Sequence, residues 1–168
     1  MASWTDFRPS RLLRRLVDGE VDFVVVGGVA VILQSHPRFT KDLDVCYATD
    51  DDNLTRFGGV LTSLNARLRG IDEDLPFGAD SRTLRQTQIL CLSTDEGEID
   101  LLVEPSGAPP YRKLRADADV VDLDGVQVRV ASIEHLLAMK QAAGRPQDLI
   151  DVEALQIARR RRGRRRRR

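Results

Sequence analysis

Val24-Val25-Val26-Gly27-Gly28-Val29-Ala30-Val31-Ile32-Leu33-Gln34-Ser35-His36-Pro37-Arg38-Phe39-Thr40-Lys41-Asp42-Leu43-Asp44-Val45 is the stretch on which the fold turns. The β-branched run at 21–26 predicts a strand that meets a glycine pair. Residues 29–34 predict a short apolar helix that Pro37 stops. Residues 42–47 alternate charged and apolar, which predicts a second strand. Residues two apart on a strand share a face, so Asp42 and Asp44 project together while Leu43 and Val45 enter the apolar layer. Two carboxylates so placed repel. The pair is tolerable when each is solvated on an edge strand, or when a hard cation such as Mg²⁺ neutralises both.

Outward from this stretch, residues 8–19 predict a first helix with Pro9 early and Gly19 closing it. Asp50-Asp51-Asp52 caps a helix expected over 53–68, negative charge there complementing the macrodipole. After a loop containing Pro76 and Gly78, residues 84–92 and 98–103 predict strands joined across Asp95-Glu96-Gly97. A second hairpin, 120–123 with 126–130, turns at Asp124-Gly125. Ser132 N-caps a helix over 133–143, Gly144 ends it, and Pro146 begins a last helix that runs into an arginine tail. There are no internal repeats. This order describes an α/β (α+β) domain, a mixed sheet with flanking helices and a short C-terminal helical piece. We expect one domain over 1–158, with its core at 21–103 and the helical piece at 132–158, followed by the tail at 159–168.

The net charge of zero conceals a split. Nine of the 26 Lys+Arg lie in the last ten residues, so the body carries 17 basic against 26 acidic residues, a net of −9. That excludes a uniformly basic nucleic-acid coat, because attraction to a polyanion must come from the tail or a local patch. At 42% hydrophobic residues the body can bury a core. No apolar run approaches the ~20 residues of a membrane span, and the first residues carry no apolar signal-like stretch, so a cytoplasmic protein without membrane contact is expected. Cys46 and Cys91 stand in apolar segments and read as free thiols. The sequon Asn53-Leu54-Thr55 is then without consequence.

Two further features bear on chemistry. Asp100 is a single carboxylate between apolar residues of a predicted strand, either an ordinary exposed position or the third acid that a two-metal site requires. Gly27-Gly28 stands where a strand meets a helix. Such a pair is either a tight turn or a place where phosphate oxygens reach backbone N–H groups. No Gly-x-Gly-x-x-Gly or Walker-type segment is present, which counts against Rossmann and P-loop folds.

Gly27-Gly28, Asp42-Leu43-Asp44 and Asp100, in that order, resemble the signature of the nucleotidyltransferase superfamily with a DNA-polymerase-β-like core. Lys140 with Arg145-Pro146-Gln147-Asp148-Leu149-Ile150-Asp151 resembles a C-terminal segment of its small prokaryotic members, which include abortive-infection and toxin–antitoxin toxins. The resemblance implies that Asp42, Asp44 and Asp100 bind two Mg²⁺ ions, or Mn²⁺. It also implies that Gly27, Gly28, Lys140, Arg145 and Asp148 hold an NTP, with Asp151 in the same motif. Gly28 departs from the serine that many relatives carry. From periodicity alone, Lys140 shares a helix stripe with Ile133, Leu136 and Leu137, so it needs an anion or must snorkel to solvent. Asp148 suits a helix first turn for electrostatic reasons alone. Arg38 and Thr40 either fit a pattern of some relatives or shape a loop, and His36 reads as a loop residue.

The resulting expectation is transfer of NMP from an NTP, ATP among them, to an acceptor hydroxyl with release of pyrophosphate. The acceptor is a tRNA 3′ end or a protein, and the enzyme acts as the toxin of a toxin–antitoxin or phage-defence system with a cognate antitoxin. The alternatives are an inactive fold relative that tethers RNA or a partner, and an antibiotic nucleotidyltransferase. The arginine tail either binds RNA through phosphates, meets an acidic partner, or is a solvated disordered terminus.

Overall fold

A computed structural model describes residues 8–70 and 78–166. The chain runs α1 (Pro9–Asp18), β1 (Phe23–Val26), α2 (Gly27–Gln34), β2 (Asp42–Tyr47), α3 (Asp51–Ser63), β3 (Arg67–Leu68), α4 (Ser81–Gln86), β4 (Ile89–Thr94), β5 (Gly97–Leu102), α5 (Tyr111–Ala116), β6 (Asp119–Leu123), β7 (Val126–Val130), α6 (Ile133–Ala143) and α7 (Pro146–Arg165). The strands form one sheet in the order β3-β4-β5-β2-β1-β7-β6. β1 lies between antiparallel β2 and parallel β7 with all four residues buried, which is why it reads as an unbroken valine run. β2 and β5 are parallel, with Asp42 beside Glu98 and Asp44 beside Asp100. Two helix groups pack on this sheet: α1 touches β7 and α3, while α2 meets both α6 and α7.

Most expected elements are present, and four expectations need correction. The helix expected over 53–68 ends at Ser63, because Asn65 adopts positive φ and Arg67–Leu68 pairs with β4 instead. The strand expected over 84–92 is a helix and a strand: Asp80 accepts from the Thr83 amide and caps α4, whose Leu84 is buried, and β4 begins only at Ile89. α5 was not anticipated; it follows Pro109-Pro110, and Tyr111 donates its hydroxyl to Asp22 at 2.8 Å. The first strand starts at Phe23 rather than Val21, since Asp22 is bound by Asn53, which receives the Asp22 amide at 2.7 Å and donates to its carbonyl at 3.0 Å. Pro76, placed in a loop from sequence, lies outside the described residues. Cys46 and Cys91 are free. No helix of the described residues is long and apolar enough to cross a membrane.

Candidate active site

The carboxylates follow from strand pairing. Asp42 and Asp44 on β2 share a face by the period of two, and the parallel register sets Glu98 and Asp100 of β5 beside them. Four acids therefore stand on one face of adjacent strands. Burial, then Asp42, then Asp100 push the Asp44 carboxyl up to about 7, against the opposing pull of Lys140 and the Gly28 amide. Burial raises Asp100 as well, partly offset by Arg69. Arg69, one residue past β3, reaches this face: its Nη1 pairs with Glu98, its Nη2 with Asp100, and Nη1 lies 3.9 Å from Asp42 Oδ2.

Gly27 and Gly28 serve the acids before any ligand. Gly27 has φ +64, and a Cβ there would collide with the Asp44 carboxylate. At Gly28 a Cβ would lie 2.6 Å from Thr40 Oγ1 and 2.8 Å from Arg38 Nη2, so a hydroxyl from Thr40 stands where a side chain at 28 would begin. The Gly28 amide beside Asp44 favours its charged form where the first turn of α2 meets β2. Thr40 Oγ1 also lies 3.4 Å from Asp42 Oδ1.

The second group of site residues comes from α6 and α7. Ile133, Leu136, Leu137 and Lys140 are all buried, as the stripe requires, and Lys140 finds its anions inside the protein. Its Nζ lies 3.0 Å from Asp148 Oδ1 and 3.0 Å from Asp151 Oδ2, with Asp151 fully buried. Arg145 grips Asp148 through its amide at 3.1 Å and its Nε at 2.8 Å, closing the first turn of α7. Burial raises the Asp148 carboxyl, but the hydrogen bonds from Arg145 and Lys140 outweigh it and hold the group down at about 2. Arg38 completes the cluster, with Nη2 donating to Asp151 at 3.1 Å. Three bases thus face two acids. Asp44 lies within the field of Lys140, so this basic lobe adjoins the carboxylates.

His36 sits after α2, in the loop expected for it, and with Ser35 faces α7 across a groove of about 520 Å³. Ile150, Ile157, Arg161 and Arg165 are among the residues that line it. The arginines through Arg165 continue α7, with Arg159 pairing with Glu134 at 3.2 Å and Arg162 with Asp119 at 3.1 Å.

Sequence reasoning missed Arg69 and Glu98. Glu98 was findable, because Glu98-Ile99-Asp100 repeats the spacing of Asp42-Leu43-Asp44. Arg69 carries no local signal.

The sequence model of the family described as nucleotidyl transferase AbiEii toxin, type IV TA system, matches residues 11–162. The chain belongs to this family. The AbiEii domain accordingly places it among the small nucleotidyltransferases of the polymerase-β-like superfamily, and the seven-stranded mixed sheet agrees. A solved structure of the lincosamide antibiotic adenylyltransferase LnuA with lincomycin is similar at TM-score 0.61 and 13% identity, over 88% of this chain and 94% of that one. ANT(2")-Ia in complex with adenylyl-2"-tobramycin is similar at TM-score 0.53 and 14% identity, over 88% and 84%. A nucleotidyltransferase-like protein from Paracoccidioides brasiliensis follows at TM-score 0.55 and 20% identity, over 87% and 72%. At these identities the likeness is one of fold. A comparison with curated proteins finds no match.

The donor set of this AbiEii chain suits a hard divalent cation. Oxygen donors from four acids stand on one face, and burial first, then the neighbouring acids, drive Asp44 toward its neutral form. As the side chains now stand, no three of the described His, Cys, Asp and Glu residues close on a single point as a metal cage.

Proposed function

We propose that this AbiEii-family nucleotidyltransferase moves an NMP from an NTP to a hydroxyl of an RNA acceptor, a tRNA 3′ end being the natural case. The observation that carries the reading is the pairing of an acid-rich face with a base-rich lobe across the Gly27-Gly28 turn. Asp42, Asp44 and Asp100 would hold Mg²⁺ or Mn²⁺, which supplies charge neutralisation on the transferred phosphoryl and activation of the hydroxyl. Lys140, Arg38 and Arg145 carry one positive charge more than Asp148 and Asp151 take up, and that surplus suits the departing pyrophosphate. The hydroxyl oxygen bonds to the α-phosphorus as the bond to the bridging α–β oxygen breaks, and pyrophosphate leaves with that electron pair. The Asp100 carboxylate receives the hydroxyl proton. The Thr40 hydroxyl, beside Gly28, takes the place of a side-chain contact that glycine lacks.

RNA is favoured over a protein acceptor by the arginine end of α7. Arg161 and Arg165 line a groove shared with Ser35 and His36, at the start of the loop that leads into Asp42. Arginine at this density attracts phosphates without sequence preference. A small-molecule acceptor is the second reading, favoured by the likeness of fold to LnuA and ANT(2")-Ia. Membership of a toxin family supports a cognate antitoxin and action inside the cell.

Label transfer tests the reading. Purified protein is incubated with Mg²⁺, each α-³²P-NTP in turn, and tRNA, protein extract or an aminoglycoside and lincosamide mixture, with Asp44→Ala and Asp100→Ala as controls. Label on tRNA that both substitutions abolish is the expected result. Label confined to protein or antibiotic moves the acceptor, and no label with any NTP turns the chain into a binding module.

A further inference from the structure

Arg69 occupies the middle of the acid face. Its amide donates to the Cys91 carbonyl at 2.9 Å, which holds the residue against β4. Its side chain then crosses β4 to reach β5 and β2, the next two strands of the sheet. There one guanidinium meets three carboxylates from two strands, Glu98, Asp100 and Asp42. It is the base in direct ion-pair reach of these acids among the described residues, since Lys140 is committed to Asp148 and Asp151. A planar fork matches two carboxylates well. The same oxygens are the ones a divalent cation takes as ligands.

We propose that Arg69 is a counter-cation of these acids that competes with metal, and that it must leave Asp100 and Asp42 before a divalent cation can enter. The inference rests on the metal-dependent reading above. It accounts for acids that share a face yet do not close into a cage: Glu98 and Asp100 are oriented toward a guanidinium. A binding-competent arrangement populated only when Arg69 is away lowers the apparent affinity by that fraction. Arg69 thereby makes the site weak for bare cation, so that loading depends on whatever else competes with the guanidinium for the acids or draws it off.

Mn²⁺ alone is the probe, titrated by calorimetry and by electron paramagnetic resonance against the full chain without nucleotide. Arg69→Gln is expected to bind Mn²⁺ about tenfold or more tightly than wild type. Its metal-free Tm falls, and its Tm rise on adding Mn²⁺ exceeds that of wild type. Arg69→Lys, which keeps the charge without the fork, lies between and serves if Arg69→Gln does not fold. Arg145→Ala removes a nearby base paired with Asp148 instead, and changes the Mn²⁺ affinity by about twofold or less. Added Asp44→Asn abolishes the gain. Unchanged or weaker Mn²⁺ binding by Arg69→Gln, with loss in Asp44→Asn, overturns the role of Arg69 while the metal reading stands. A gain indifferent to Asp44→Asn overturns it too, because the metal then binds elsewhere. No Mn²⁺ binding by any variant, with or without ATP, overturns both.

Discussion

The acid face on β2 and β5 and the basic lobe between α6 and α7 are built from the same residue types, yet they are balanced in opposite directions. On the sheet, three of four carboxylates lie in ion-pair reach of Arg69, and Asp44, outside that reach, is pushed to about 7. On the helices, two carboxylates are held by three bases, and Asp148 is drawn down to about 2. A satisfied ion cluster would be near neutral on both sides. The leftover negative charge on one side and positive charge on the other, with a glycine turn between, is the arrangement that a cation and a phosphate chain would complete.

Asp44→Asn tests the acid half most severely. It removes the central negative charge with little change of shape, and nucleotidyl transfer should fall by about a hundredfold or more while the fold, followed by circular dichroism, is retained. Lys140→Met attacks the other half. Asp148 and Asp151 stay buried while each loses its ion pair with the Lys140 ammonium at 3.0 Å, so the loss of about 3 kcal/mol or more in urea unfolding should accompany loss of activity. Gly27→Ala strikes the seam. The positive φ and the collision with Asp44 should cost on the order of 1–3 kcal/mol and depress activity beyond what the residual stability explains.

The two halves also separate in pH. Asp148 has a folded pKa below its ordinary 3.8, so its contribution is present above 3.8 and is lost as pH falls toward 2, on the order of 2 kcal/mol. Asp44 has a folded pKa above 3.8, so it favours the metal-free fold at low pH, and that advantage disappears as pH rises from 3.8 through 7. Denaturant melts across pH should show Asp148→Asn flattening the lower window and Asp44→Asn the upper one. If both substitutions flatten the same window, the charge contrast is wrong. The smallest effect belongs to the tail: Arg161→Ser with Arg165→Ser should lower RNA affinity uniformly across sequences and reduce the salt slope by about 1 per arginine, with the fold unchanged.

Much of this architecture was legible locally. The valine run, the glycine pair and Asp42-Leu43-Asp44 announced β1, α2 and β2, and Ser132 and Gly144 bracketed α6 correctly, because strand alternation and helix capping act over a few residues. Elements without a strong local pattern were misread. Asp80 capped a helix where an apolar run suggested strand, and Asn65 broke a helix whose pattern continued past it.

The sequence by itself determined the carboxylates on β2 and β5, the glycine turn, and the place of Lys140 on the apolar stripe of α6, since each follows from short-range geometry. The tertiary structure alone decided that Lys140 answers to Asp148 and Asp151, that Arg38 reaches Asp151 across 113 positions of chain, and that Arg69 sits over the acids. Ion pairing depends on distance in space, and neither composition nor periodicity records which strand will lie beside which.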